Sequence, residues 1–408
     1  MPVTSDLTPA SLLMRPRALA IYVLFFLVGV VGALVLPTFS VFLAKELGVR
    51  PLLVGIPFGG IALLSIIYNQ VIGAWSDKLA DRRPLVAGCC LLGILSCLMF
   101  ALSRHYWMIA FTATFLFSLA MVSFSQLLAY SLDYAEREIP LPRIPLFNAI
   151  VRAQIALAWV AGPPLGFFLA SALGFTLTYI VAASIFSVVA GLSIKLLPRL
   201  DLAPHQVANA TVASTQPLPP LSSARIKSIV FCVLALSLMW SANNAYLISL
   251  PLHLNDNLGI DTKWVGWVMG TCALLEVPFM LLAGYLAARV NLLVMVRFAG
   301  FAGLLLYTGI YLAEQVWQLF ALQIFNAIFI GVLAGLGVSV IQLLMPGRTG
   351  SASALYTNTT HIGNLFSSVM VALVADFLGY QNVFVANLLV VVVAMTLFVF
   401  VKTSQPQD

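Results

Sequence analysis

Polar residues are spread so thinly along this chain that uninterrupted apolar runs, and not amphipathic faces, set its architecture. Twelve such runs follow one another, at 19–43, 52–74, 84–103, 106–130, 144–170, 175–197, 226–250, 264–288, 292–313, 316–344, 350–375 and 380–401. Each holds 20 to 29 residues, and at 1.5 Å per residue a helix of that length crosses a hydrocarbon core of about 30 Å with some tilt. The pattern therefore predicts twelve transmembrane helices joined by short polar turns. One longer stretch, 198–225, is rich in Pro, Ala, Ser and Thr and includes Gln216-Pro217-Leu218-Pro219-Pro220, the composition of a linker.

The two sides of that linker repeat one another. Val54-Gly55, Ala62-Leu63-Leu64 and Gly73 recur as Val265-Gly266, Ala273-Leu274-Leu275 and Gly284, each 211 residues on, and Leu47-Gly48 recurs as Leu258-Gly259 at the same offset. The expected fold is an all-α membrane protein of twelve transmembrane helices in two pseudo-symmetric six-helix bundles, 1–197 and 226–408, with 198–225 as a cytoplasmic linker. Duplicated bundles facing each other are a common construction of secondary transporters.

Composition agrees: 62% of the residues are hydrophobic and 8% charged, with a mean hydropathy of +1.04, too apolar for a water-soluble globule. Placing both termini in the cytoplasm puts 14 Lys and Arg residues inside and Lys45, Arg50, Arg104 and Lys263 outside, and leaves Arg152 and Arg297 in the membrane. The positive-inside rule selects this orientation. The net charge of +6 is then a topology signal and not a nucleic-acid footprint. Five cysteines sit in apolar runs without metal-ligand spacing and read as buried free thiols. The first apolar run is long enough to stay as a span and not a cleaved signal. The four histidines are scattered and no phosphate-binding loop occurs, so neither an enzyme nor direct ATP drive is indicated, and no cofactor or metal is expected.

At the end of the second run stands Gly73-Ala74-Trp75-Ser76-Asp77-Lys78-Leu79-Ala80-Asp81-Arg82-Arg83. This resembles the loop motif of the major facilitator superfamily: a glycine that lets helices approach, an acid, then a basic pair. The resemblance implies a gating role for Gly73, Asp77, Arg82 and Arg83, with Asp77 pairing to Arg82 or Arg83. Asp81 replaces the usual glycine before the basic pair, and the second copy, Gly284 to Arg289, has lost its acid. Arg152-Ala153-Gln154, Ala158 to Pro164, Leu238-Met239-Trp240, Leu275-Glu276-Val277-Pro278, Leu322 to Asn326 and Met345-Pro346-Gly347-Arg348 are similar to the bacterial sugar efflux transporters of that superfamily. That similarity implies export of mono- and oligosaccharides and glycosides across the bacterial inner membrane, driven by proton antiport; a monomer is expected because the pseudo-symmetry closes within one chain, and the charge balance calls for no nucleic-acid partner.

Charges at membrane depth are costly and survive mainly where they face a partner or a water-filled cavity. Glu276 lies 12 residues, about 18 Å, from the cytoplasmic end of its run, and Arg152 about 12 Å from the end of the fifth. Packing of the fifth and eighth spans, as the resemblance implies, would let these two pair. Glu276 is read as the proton-coupling group, with His361 as its rival. Sugars call for planar amides, charges and aromatic faces: Trp240, Asn243 and Asn244 share a helix face, as do Gln323 and Asn326, Asn358 and His361, and Arg152 and Trp159. These residues form the expected substrate set, although interhelical hydrogen bonding would explain the amides as well. Gln126-Leu127-Leu128 and Gln342-Leu343-Leu344 occupy corresponding cytoplasmic helix ends and suit an inner gate. Gly162-Pro163-Pro164-Leu165-Gly166 resembles part of an antiporter signature, without its last glycine; its prolines free backbone carbonyls and are expected to bend the helix. A multidrug exporter or a sugar symporter of the same fold is the alternative.

Overall fold

The computed structural model describes residues 15–79, 81–200 and 221–402, so most of the linker, including Gln216 to Pro220, lies outside the described residues. In chain order the helices are α1 (Pro16–Val41, continued by a π turn over Phe42–Glu46), α2 (Pro51–Ser76), α3 (Arg83–Leu102) and α4 (Tyr106–Glu138, with a π turn over Thr112–Phe117). A helical run over Ile144–Lys195 follows, then α7 (Ser223–Asp256), α8 (Thr262–Leu286), α9 (Leu292–Leu312), α10 (Val316–Leu344), α11 (Thr349–Leu378) and α12 (Tyr380–Val399). Helices α4 and α7 overrun the predicted spans because their ends carry charged and polar residues that continue the helix past the apolar stretch.

The long run is two spans. At Gly174 the backbone turns to φ 81°, ψ 166°, a conformation that glycine alone adopts without strain, so α5 covers 144–173 and α6 covers 175–195. The same turn, φ 85° and ψ 163°, recurs at Gly379 between α11 and α12. Twelve spans result among the described residues. Helical backbone continues through Pro163 and Pro164 and is interrupted only at Gly174. The Val160 carbonyl, which Pro164 deprives of its helical donor, lies at close range to Gly270 of α8.

Within the first six helices α1 packs on α5 and α3 on α6; in the last six α7 packs on α11 and α9 on α12. The two sets meet through α5 against α8 and α2 against α11. An even number of spans places Pro16 and Val399 on one face, here termed the terminal face, and the opposite face is the far face. Four glycines make the junction possible, in two small-xxx-small pairs 211 residues apart. Gly55 backs onto Ala372 and Ser368, and Gly59 onto Ser368; Gly266 and Gly270 back onto Pro163, Pro164 and Val160. A methyl group on Gly266 would come within 2.7 Å of the Pro163 carbonyl oxygen.

All four glycines sit in the far-face half of their helices. Two ion pairs that join the sets, Lys45 with Asp256 and Arg50 with Asp376, stand at the far face as well. Lys45 and Asp256 are themselves 211 residues apart, so the repeat's pseudo-twofold axis passes through their contact. At the terminal ends of the same helices a side chain added to Gly73 or Gly284 would meet open space, and Arg152 is exposed at membrane depth. The sets are closed against each other at the far face and parted at the terminal face. Gly73 therefore holds no helix contact in this conformation.

Gly266→Leu would overpack the seam at a cost of about 1–3 kcal/mol. Maleimide labelling of a Ser368→Cys reporter from the far face should rise at least about fivefold in the Gly266→Leu background; unchanged labelling would show that the glycine contact does not hold this conformation.

Candidate functional site

The parted half of the junction exposes one group of polar and aromatic side chains at membrane depth. Arg152 of α5 is exposed, and Glu276 of α8 and Trp240 of α7 are half-buried. The residue that ties them together is Tyr356 of α11, which lies beside Trp240 and within electrostatic reach of both Arg152 and Glu276. Its hydroxyl donates to the Leu333 carbonyl of α10 at 2.9 Å. Its ring fits where it does because residue 337 is glycine; a side chain there would overlap it. Gly363, one of the closest helix contacts in the last six, seats α11 on α7 at Trp240, with 2.9 Å to the Trp240 Cβ for any added methyl. The sequence reading overlooked Tyr356, although it lies two residues before Asn358 on a helix already singled out.

Around this group the remaining predicted contacts fall in different places. Trp159 is half-buried two turns beyond Arg152 on α5, and Asn243, Asn358 and His361 are half-buried. The Asn244 amide donates to the Ser367 hydroxyl of α11 at 2.6 Å, so it binds α7 to α11. Gln323 and Asn326 do not reach the cleft: they are 0% and 1% exposed. Gln323 Oε1 accepts from the Tyr246 hydroxyl and from Asn326 Nδ2, both at 3.0 Å, while its own amide donates to the Leu319 carbonyl at 2.8 Å. Helical spacing identified their common face, but that face points into the α7–α10 packing, where amides satisfy each other. No ion pair joins Arg152 to Glu276 in this conformation, because the α5–α8 contact closes at Gly266 and Gly270 and leaves their terminal-face halves apart.

The loop after α2 gathers its charges around Arg82, which is 6% exposed. Its guanidinium donates to Asp133 of α4 at 2.9 Å, to Asp77 at 2.8 Å, to the Ser76 hydroxyl at 2.6 Å and to Gln126 at 3.4 Å. Arg83 pairs with Asp81 at 2.8 Å instead and donates to the Leu197 carbonyl at 2.9 Å. Burial pushes the Asp81 carboxyl up, but the hydrogen bonds and charge of Arg83 outweigh it and hold the group below the ordinary carboxylate range. Arg82 thus clamps the ends of α2 and α4 to the start of α3. The repeat partner Gln342 has no such role and reaches Ser353 of α11 at 3.4 Å.

The sequence model described as Major Facilitator Superfamily matches residues 21–314. The sugar efflux transporter A of Dickeya chrysanthemi is 41% identical over 366 residues, covering 90% of this chain and 91% of that protein. The chain belongs to the major facilitator superfamily, in the branch of the sugar efflux transporters. The sugar efflux transporter A of Escherichia coli strain K12 is 37% identical over 92% of this chain and 94% of its own length. A crystal structure of the nucleoside transporter NupG superposes with a TM-score of 0.74 at 14% identity, over 96% of this chain and all of that one, which is agreement in fold. The superfamily is one of multi-pass membrane transporters and not of enzymes.

Within this major facilitator chain the Arg82 cluster stays inside the first six helices, and Asp77, on the open terminal face, is held by Arg82. Taking away Arg82, the buried member of the cluster, leaves the half-buried Asp133 without its charged donor, at a cost of about 1–3 kcal/mol. Arg82→Gln is expected to lower the melting temperature of the detergent-purified protein by several degrees, and the addition of Asp133→Asn should recover part of the loss. Equal melting of wild type and Arg82→Gln would contradict the clamp.

Proposed function

We propose that this protein exports sugars, mono- and oligosaccharides and glycosides, from the cytoplasm in exchange for protons, with the terminal face cytoplasmic and the inner membrane of a bacterium as its site. The observation that carries this reading is the group formed by Arg152, Glu276, Trp240 and Tyr356 at membrane depth between the two sets of helices. Its chemistry suits a pyranose and a proton: aromatic rings for the apolar face of the sugar, a guanidinium for its hydroxyls, and a carboxylate that can titrate. Two relatives that align over nine-tenths of the chain bear the name sugar efflux transporter, which supports the same substrate class.

In this reading residues 1–197 and 226–408 rock as two bodies about the group, with 198–225 as their tether, and the protein works as a monomer. The present conformation admits sugar from the cytoplasm. Glu276 is the coupling carboxylate, because it is the one acid of the last six helices that lies away from the far face. A proton taken up on the opposite side neutralises it and leaves to the cytoplasm in the present conformation, and the two conformations differ in proton affinity because Arg152 moves relative to the carboxylate. His361, Asn243 and Asn358, with Trp159, complete the wall of the substrate space.

Radiolabelled lactose and glucose should accumulate in everted membrane vesicles when the lumen is acid. Glu276→Gln should lower that accumulation at least about tenfold while leaving sugar counterflow intact. Full gradient-driven accumulation in Glu276→Gln would remove the carboxylate from coupling, and absence of any sugar movement in the wild type would overturn the sugar reading in favour of another export substrate.

A further inference from the structure

The two repeats treat their terminal faces in opposite ways. On the first six helices Asp77, Asp81, Asp133, Glu136 and Glu138 stand at that face, and Arg82 and Arg83 are bound by carboxylates. From 226 to 402 the acids are Asp256, Asp261, Glu276, Glu314 and Asp376. Glu276 is deep in α8 and the other four stand at far-face helix ends. Among residues 226–402 the terminal face therefore carries Lys227, Arg289, Arg297, Arg348 and Lys402 and no acid.

Arg289 is the cation placed to use this imbalance. It occupies the position 211 residues after Lys78, and alanine stands at 288 where the first copy has Asp77. It is exposed, and its guanidinium lies over the Tyr285 ring, 4.8 Å from the centroid. A ring face holds the cation in place and takes up none of its hydrogen-bond fork. The next cation along, Arg297, donates to the Phe398 carbonyl of α12 at 2.7 Å.

Directly beside Arg289, α8, α9 and α10 enclose a groove of 280 Å³ whose walls are apolar throughout; Leu286 and Val290, which flank Arg289 in sequence, line it together with Leu282, Val294, Phe298 and Val332. Leu282, Val294 and Phe298 are 48%, 51% and 58% exposed on the bilayer side. An apolar groove that opens to lipid, with a free guanidinium at its headgroup end and a field without acids behind it, matches one amphiphile. We propose that this corner binds an anionic phospholipid of the terminal-face leaflet, with an acyl chain along the groove and its phosphodiester on Arg289. The chain gains burial against aliphatic and aromatic side chains, and the headgroup gains a charge-assisted, two-pronged hydrogen bond.

Native mass spectrometry of the delipidated protein, titrated with phosphatidylglycerol or phosphatidylcholine of matched acyl chains, tests this. One basic residue near the membrane surface is worth about 1 kcal/mol toward an anionic lipid, so phosphatidylglycerol should bind about fivefold more tightly. Arg289→Gln should abolish that preference, Arg289→Lys should keep part of it, and Lys227→Gln, at the start of α7, should leave it whole. Val294→Trp, on the bilayer side of the groove, should weaken both lipids. Equal binding of the two lipids to the wild type, a preference that survives in Arg289→Gln, or equal losses in Arg289→Gln and Lys227→Gln would each overturn the proposal. Displacement of phosphatidylglycerol by 10 mM inorganic phosphate, as an order of magnitude for a weak anion site, would also overturn it, by showing a site for free anions.

Discussion

Close helix contact at four glycines, backbone to backbone at Gly55, Gly266 and Gly270, is the constraint on which the rest of this protein depends. Gly55 and Gly59 let α2 seat on α11, Gly266 and Gly270 let α8 seat on α5, and each pair is the other's image under the repeat. Helices surrounded by lipid gain little from burying apolar side chains against one another, so association rests on van der Waals fit and on small residues that permit it. With the far-face half of the junction fixed this way, Lys45 and Asp256 meet across the pseudo-twofold axis and Arg50 meets Asp376. The terminal-face half has no such contact at Gly73 or Gly284, and the cleft opens there.

That geometry decides what the intramembrane charges can do. Arg152 and Glu276 sit on the two helices that the seam joins, but on its open side, so their separation reports which half of the junction is closed. The prolines of α5 serve the same arrangement: Pro164 leaves the Val160 carbonyl without its helical donor, and Gly270 presents backbone to it.

Much of this was legible in the sequence. The twelve runs, the offset of 211 residues and the balance of Lys and Arg are properties of lipid solvation and duplication, and they hold whatever the helices touch. The pairing of Asp77 with one of the two arginines after α2 was legible from the resemblance of the loop, whereas Asp133 and Gln126 as further partners of Arg82 were not, because they come from α4. Contacts between distant helices were not. Spacing put Gln323 and Asn326 on one face without saying that the face looks into the bundle, and it could not show that residue 337 must be glycine for Tyr356 to enter the group beside Trp240. The small-xxx-small pairs were present in the repeat as Val54-Gly55 and Val265-Gly266, each followed by a second glycine four positions on, and the period of four was the signal that identifies them.

The account's central claim is that the far-face seam must open for transport. Lys45→Cys and Asp256→Cys, joined by a short cleavable dimaleimide in everted vesicles, test it most directly. Bridging should reduce gradient-driven sugar accumulation to background and leave sugar binding from the terminal face intact, and cleavage of the bridge should restore accumulation. Transport at the unbridged rate with the bridge in place would contradict the claim.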